Sequence, residues 1–343
     1  MDSRIHAVVA GHGGLATAPM LAAAGIEARE VARLVRRQSL VAVRRGVYTT
    51  GELWESWDDF LLRPLARVRA AEHSLVVEHV SSHDSAALLH RLPLLDARSA
   101  AVHISRLDLR GHRTQHGIEH HGASYDADQI VSVDGLPTLD IARTVCDLAR
   151  EHGYREGLVA ADGAMQLGVP RAALRDAARR MAGWPYSLTV RAVVKDADPG
   201  AESVGETLAR ELVRECGWGS VVETQFPVAV STGVAWADLR VGRHLVEFNG
   251  RVKYRSTAEG GLRDGDLEEL MWQERRREAD ERSAGFGVTP LVYADFFGDR
   301  RAHAKARLMR EEALTRSRHG TALTAEMTAF ADRWRGRRYK SAG

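Results

Sequence analysis

The chain has 343 residues, with 44% apolar and 27% charged side chains. That balance is ordinary for a folded protein and excludes global disorder. Lys and Arg number 48 against 46 acids, so the formal charge is only +2. Overall charge therefore does not mark a nucleic-acid binder, and any such signal has to be local. Two cysteines, Cys146 and Cys216, are too few for a disulfide framework and suit a reducing compartment. The N-terminus carries an early acid and no apolar stretch of signal-peptide length. No later stretch approaches the roughly 20 apolar residues of a membrane span. A cytoplasmic protein without a membrane partner is expected.

Residues 1–55 read as short helices followed by a basic, β-branched run. Ile5–Ala10 suits a helix stopped by Gly11, Gly13 and Gly14. Thr17 is a cap for a second helix ending at Gly25. A third spans about Glu27–Gln38, with Val31, Leu34 and Val35 at the spacing of one buried stripe. Arg29, Arg33, Arg36 and Arg37 fall on its other side. Leu40–Val43 and Val47–Thr49 are strands about an Arg44-Arg45-Gly46 turn. Helix, helix, basic helix, basic hairpin is the order of a winged helix-turn-helix. The third helix would enter the major groove, and the wing would touch phosphate. The bland alternative is a solvated arginine face.

Residues 56–195 mix strands and Ala/Arg-rich helices, an α+β pattern. Leu75–Val80, Ala100–Ile104 and Gln129–Val133 read as strands, with a helix from Ser82 to Leu89. Asp140 is placed to cap a helix bearing an Arg143/Asp147 i,i+4 pair. Helices follow over Tyr154–Leu167 and Arg171–Met181. His112, His116, His120 and His121 invite a metal reading, but Gly111, Gly117 and Gly122 break any helix. A strand over 117–121 with exposed histidines is expected instead. His79 and His83 take the same bland reading.

Asp196–Gly200 is a turn-forming break. Beyond it, over 196–310, comes a helix, a strand, a turn, a strand and a long charged helix. A basic helical tail completes the chain over 311–343. Ala235–Val241 and Leu245–Asn249 form a hairpin about Gly242-Arg243-His244. Strand alternation points Glu247 and Asn249 one way and Val246 and Phe248 the other. Asp238 lies on the adjacent strand beside Glu247. Two carboxylates and an amide make a hard oxygen cluster suited to Mg²⁺ (or Mn²⁺). A metal there would polarise a phosphodiester or generate hydroxide. Lys253 would supply transition-state charge. Arg275, Arg276 and Arg277 would meet phosphate, or simply lace a solvated helix. Ser203-x-x-Glu206 fits a capping box, so Glu206 is read equally as cap or as supporting acid.

Asp238 and the run Glu247–Tyr254 resemble the Vsr-like branch of the PD-(D/E)XK, or restriction-endonuclease-like, nucleases. Ser203-x-x-Glu206-x-x-x-Arg210 and Glu274–Glu278 agree with that branch. The resemblance covers about 200–300 and implies an α/β core that hydrolyses DNA with Mg²⁺. Asp238 and Glu247 would be its metal ligands, with Glu206, Asn249 and Lys253 in the catalytic set. Asn249 departs from the pattern, standing where the superfamily has Lys and this branch has Asp.

Residues 1–190 are similar to AbiEi-type antitoxins and regulators. The similarity rests on Arg44–Tyr48 and on Gly135–Pro137 with Ala142–Ala149. It implies a DNA-binding repressor with double-stranded DNA and a toxin as partners. The expectation is a multidomain α/β and α+β protein: a DNA binder with an endonuclease-like C-terminal domain. The alternative is a non-enzymatic antitoxin or repressor with a degenerate nuclease fold. Arg29, Arg33, Arg36, Arg37, Arg44 and Arg45 are the expected DNA contacts.

Overall fold

The structure, a computed structural model, describes residues 2–97, 101–219, 221–250 and 267–337. It is mixed α/β, with fourteen α-helices and three sheets among the described residues. The chain divides into two compact units, Met1–Ala197 and Asp198–Gly343.

The first unit opens with α1 (Ser3–Gly11), started by the Asp2 carboxylate accepting the Arg4 amide. The short strand β1 (Ala16–Thr17) leads into α2 (Ala18–Ala23), capped by the Thr17 hydroxyl as expected. Gly25, at a φ of +78°, ends that turn. Next come α3 (Ala28–Arg36), β2 (Leu40–Arg44) and β3 (Val47–Thr50). The sheet order is β1-β3-β2, with antiparallel pairs. Ile5, Val9, Leu21, Ile26, Val31 and Leu40 close a small core of their own.

Helices α4 (Gly51–Ser56) and α5 (Leu62–Glu72) lead to β4 (Val80–Ser81), α6 (His83–Leu89) and β5 (Val102–Arg106). The expected strand over Leu75–Val80 shrinks to β4. Val76 is 97% exposed, so no layer covers the middle of that run. The hairpin β6 (Gly111–Gln115) and β7 (Ile118–Gly122) follows, then β8 (Ile130–Val133) and β9 (Leu136–Leu139). Asp134 and Gly135, both at positive φ, make the tight turn between the last two. The six strands order as β6-β7-β5-β4-β9-β8.

Four helices complete the unit: α7 (Ile141–Glu151), α8 (Tyr154–Gln166), α9 (Arg171–Arg180) and α10 (Ser187–Asp196). Asp140 caps α7 through the Arg143 amide. The Arg143–Asp147 pair forms at 3.0 Å with both side chains buried. Leu148, Ala160, Leu174 and Val193 form the core among these helices.

The second unit starts with α11 (Val204–Glu215) and strands β10 (Glu223–Val230), β11 (Gly233–Val241) and β12 (His244–Asn249). The hairpin turn is Gly242-Arg243, and His244 belongs to the strand rather than the turn. A crossover carrying α12 (Leu267–Ser283) returns to β13 (Gly287–Val292), which lies parallel to β12. The sheet order is β10-β11-β12-β13. Long α13 (Gly298–His319) and α14 (Ala325–Trp334) finish the unit.

Strand β12 shows the alternation cleanly. The Phe248 ring lies so close to Gly205 of α11 that a Cβ there would sit 2.1 Å from it. His244, on the same side, meets the Thr315 hydroxyl of α13 at 2.8 Å. Leu245, on the other side, joins the core with Phe226, Phe286 and Ala331. Glu247 also points that way and reaches α12.

Candidate functional site

Helix α3 turns about 100° per residue. Positions 31, 34 and 35 therefore share one side, and positions 29, 33 and 36 gather on the opposite one. Val31, Leu34 and Val35 pack into the core. Arg29, Arg33 and Arg36 are exposed, as are Arg37 and Arg45. Arg33 reaches Glu30 at 3.2 Å, an exposed pair of little strength.

Arg44 behaves differently. It is half-buried and donates to the Ser74 hydroxyl at 2.9 Å and to the His116 carbonyl at 2.8 Å. It therefore ties the β2–β3 hairpin to the β6–β7 turn. Arg44, Arg45, Arg106, Arg113, His116 and His120 line one groove of this unit.

In the second unit, Leu239 pairs with Val246. One step further along that register, Asp238 comes opposite Glu247. There the ladder is interrupted, and the Asp238 carboxylate accepts the Phe248 amide at 2.7 Å. Glu247 is buried and accepts from the Arg277 guanidinium at 2.9 Å. The Arg277 Nε lies 3.9 Å from Glu281, one turn further along α12. Glu281 is fully buried, and neither of its oxygens has a hydrogen-bond partner. Burial pushes its carboxyl up to about 7, Arg277 opposes the shift, and the charges of Glu278 and Asp238 add to it.

The carboxylates are thus brought together, but Arg277 already provides a countercharge. Among the described residues, no three of these acids have oxygens within 4.8 Å of one another. Arg277 therefore engages an internal carboxylate instead of presenting its charge to phosphate. Asn249 is half-buried at the end of β12, and Lys253 lies outside the described residues. Ser203 caps α11, its hydroxyl accepting the Glu206 amide at 3.2 Å, and the Glu206 carboxylate accepts from that hydroxyl at 2.9 Å and from the Glu202 amide at 2.8 Å in place of the Ser203 amide of a full capping box. Its second oxygen accepts from Gln225 at 3.1 Å. Gln225 sits on β10 between the partners of Ala237 and Leu239, across from Asp238. Sequence reasoning missed Glu281. Its one local signal is the i,i+4 spacing from Arg277.

Residues 3–50 match the family model described as "Transcriptional regulator, AbiEi antitoxin". This AbiEi-like segment holds α1, α2, α3 and the β2–β3 hairpin, and with them Arg29, Arg33, Arg36, Arg37 and Arg45. A comparison with curated proteins gives no match. Among solved structures, the chain is similar to the RV2827C protein from Mycobacterium tuberculosis at 15% identity. That match covers 62% of this chain and 79% of the other, with a TM-score of 0.37, too slight to carry an argument. No helix among the described residues is long and apolar enough to cross a membrane.

Proposed function

We propose that this chain is a DNA-binding transcriptional regulator whose N-terminal segment acts as a winged helix-turn-helix. In this reading α3 enters the major groove and the β2–β3 hairpin rides on the backbone. One observation carries it: Arg29, Arg33 and Arg36 project from the side of α3 directly away from its buried stripe. A face of three exposed guanidiniums, of which Arg33 makes an exposed pair with Glu30, suits phosphate and guanine edges. The match of residues 3–50 to a regulator family supports the same reading. Arg45 at the hairpin turn adds backbone contact. Arg44 positions the hairpin through Ser74 and the His116 carbonyl.

The test is fluorescence anisotropy with duplexes from upstream of the chain's own gene, against scrambled duplexes. Tighter binding to the native sequence is expected. Equal affinity for both duplexes overturns selective regulation.

A second reading, metal-dependent cleavage of DNA, is favoured by the buried Glu281 carboxyl beside Asp238 and Glu247. Asp238 and Glu247 would hold Mg²⁺ or Mn²⁺, with Glu206 steadying the neighbouring strand through Gln225. Such an ion, when bound, neutralises charge on a phosphodiester. The acids accept it only where Arg277 gives up Glu247. Supercoiled plasmid incubated with Mg²⁺ or Mn²⁺ decides the point. Nicking by the native chain that disappears in Glu247→Ala upholds cleavage. No nicking, or nicking that persists in the variant, removes it.

A further inference from the structure

Three histidines from three separate elements converge in the first unit. His83 is the first residue of α6, His103 lies on β5 and His121 on β7. All three are buried. Strands β5 and β7 are parallel, with Ser105 opposite His121, so His103 and His121 rise from one face of the sheet, two residues apart. β7 lies between β5 and β6, which is why His121 and His120 are covered rather than exposed as the sequence suggests. His112 and His116, on the outer strand and its turn, are exposed.

The ring nitrogens are organised. The Asp84 carboxylate accepts from His103 Nε2 at 3.0 Å and from His152 Nε2 at 2.9 Å. The His103 Nδ1 lies 2.8 Å from His121 Nε2. The His83 ring stacks on His121 with centroids 3.9 Å apart, and its Nδ1 is engaged by the Ser82 hydroxyl at 3.0 Å. One nitrogen from each ring falls in a set lying within 4.8 Å. His83 also stands at a φ of +48°, a left-handed conformation that costs a non-glycine residue.

We propose that His83, His103 and His121 form a binding site for one borderline-soft divalent ion of the Zn²⁺ class, with Asp84 as the group that orients His103. Three imidazoles with an open fourth position suit Zn²⁺, Co²⁺ or Ni²⁺ and not the oxygen-seeking Mg²⁺. Asp84 to His103 is the carboxylate–histidine arrangement that fixes the tautomer of a ligating ring. Ligands about 2.0–2.1 Å from a tetrahedral ion stand roughly 3.3 Å apart, so the His103–His121 nitrogens need to open by only about half an ångström. The ion would tie α6, β5 and β7 together at one point.

The test uses the full chain, stripped with chelator and titrated with Zn²⁺ against a chromophoric competitor, and separately with Co²⁺ by visible absorption. One ion per chain and the intense bands of a tetrahedral, nitrogen-rich Co²⁺ site are expected. His103→Ala and His121→Ala should weaken Zn²⁺ at least 100-fold, and Asp84→Asn by about 10–100-fold. His303→Ala, at an exposed histidine of α13, should leave Zn²⁺ affinity unchanged. Absence of stoichiometric binding, affinity unmoved by the histidine variants, or a weak octahedral Co²⁺ spectrum overturns the site. If an alanine variant unfolds, His121→Gln takes its place, and the native Co²⁺ spectrum still decides the donor set.

Discussion

Removing the α3 arginines together, in Arg29→Ala/Arg33→Ala/Arg36→Ala, tests the proposed interface most directly. None of the three holds the fold together: all are exposed, and only Arg33 has a described ion pair, to exposed-side Glu30. Alanine also raises helix propensity slightly. The melting temperature should therefore barely move, which separates a binding defect from a folding one. Each phosphate contact adds about 0.9 to the slope of log affinity against log salt on duplex DNA. Three lost contacts should flatten that slope by about 2.7, which at 0.15 M salt corresponds to roughly a hundredfold loss of affinity. The assay is anisotropy across a salt series, with Arg179→Ala on α9 as an exposed control that should leave the slope alone. Should the triple variant keep both the native slope and the native affinity, α3 is not the element that meets DNA.

Other outcomes follow from the second unit. Gly205→Ala pushes a methyl into the Phe248 ring and should cost about 1–3 kcal/mol, lowering the melting temperature by several degrees; Gly205→Ala/Phe248→Leu should regain part of it. Arg277→Ala removes the half-buried guanidinium that faces Glu247 and Glu281 and should destabilise by about 1–3 kcal/mol in denaturant titration, whereas Arg277→Lys should cost less. Glu281 has a folded-state carboxyl raised to about 7, above its ordinary value of 4.5. Its contribution to stability is therefore full below about pH 4.5 and is lost as pH rises through 7. Glu281→Gln should accordingly be more stable than the native chain at pH 8 and lose that advantage by pH 5; an advantage independent of pH contradicts the assignment.

The parts of the molecule that were legible in the sequence are those with a local period. Val31, Leu34 and Val35 mark the buried side of α3, and by subtraction its arginine side. The Gly242-Arg243 turn fixes the β11–β12 register, and strand alternation then sets Asp238 against Glu247. Thr17, Asp140 and Ser203 cap helices because a short polar side chain before an apolar run has few other uses. Leu75–Val80 was misleading for the opposite reason: apolar composition proposes a strand, but only a covering layer makes one, and Val76 has none.

What was illegible depends on crossovers. Arg277 reaches Glu247 from 30 residues away, across a parallel connection that no spacing rule predicts. Helix α12 is charged nearly all round, so no stripe announces that Arg277 and Glu281 face inward. The histidine cluster is the extreme case. His83, His103 and His121 are separated by 20 and 18 residues, and each alone reads as an ordinary polar residue. Their meeting is decided by the order β7-β5-β4, which stacks two strands and the start of α6 over one point. The same logic sets the two candidate ion sites apart. The imidazoles of His83, His103 and His121 present nitrogen donors, whereas Glu247 is already answered by a guanidinium. An ion offered to the whole chain should therefore partition by its chemistry: Zn²⁺ to the histidines, and Mg²⁺ to the carboxylates only at the expense of the Arg277 pair.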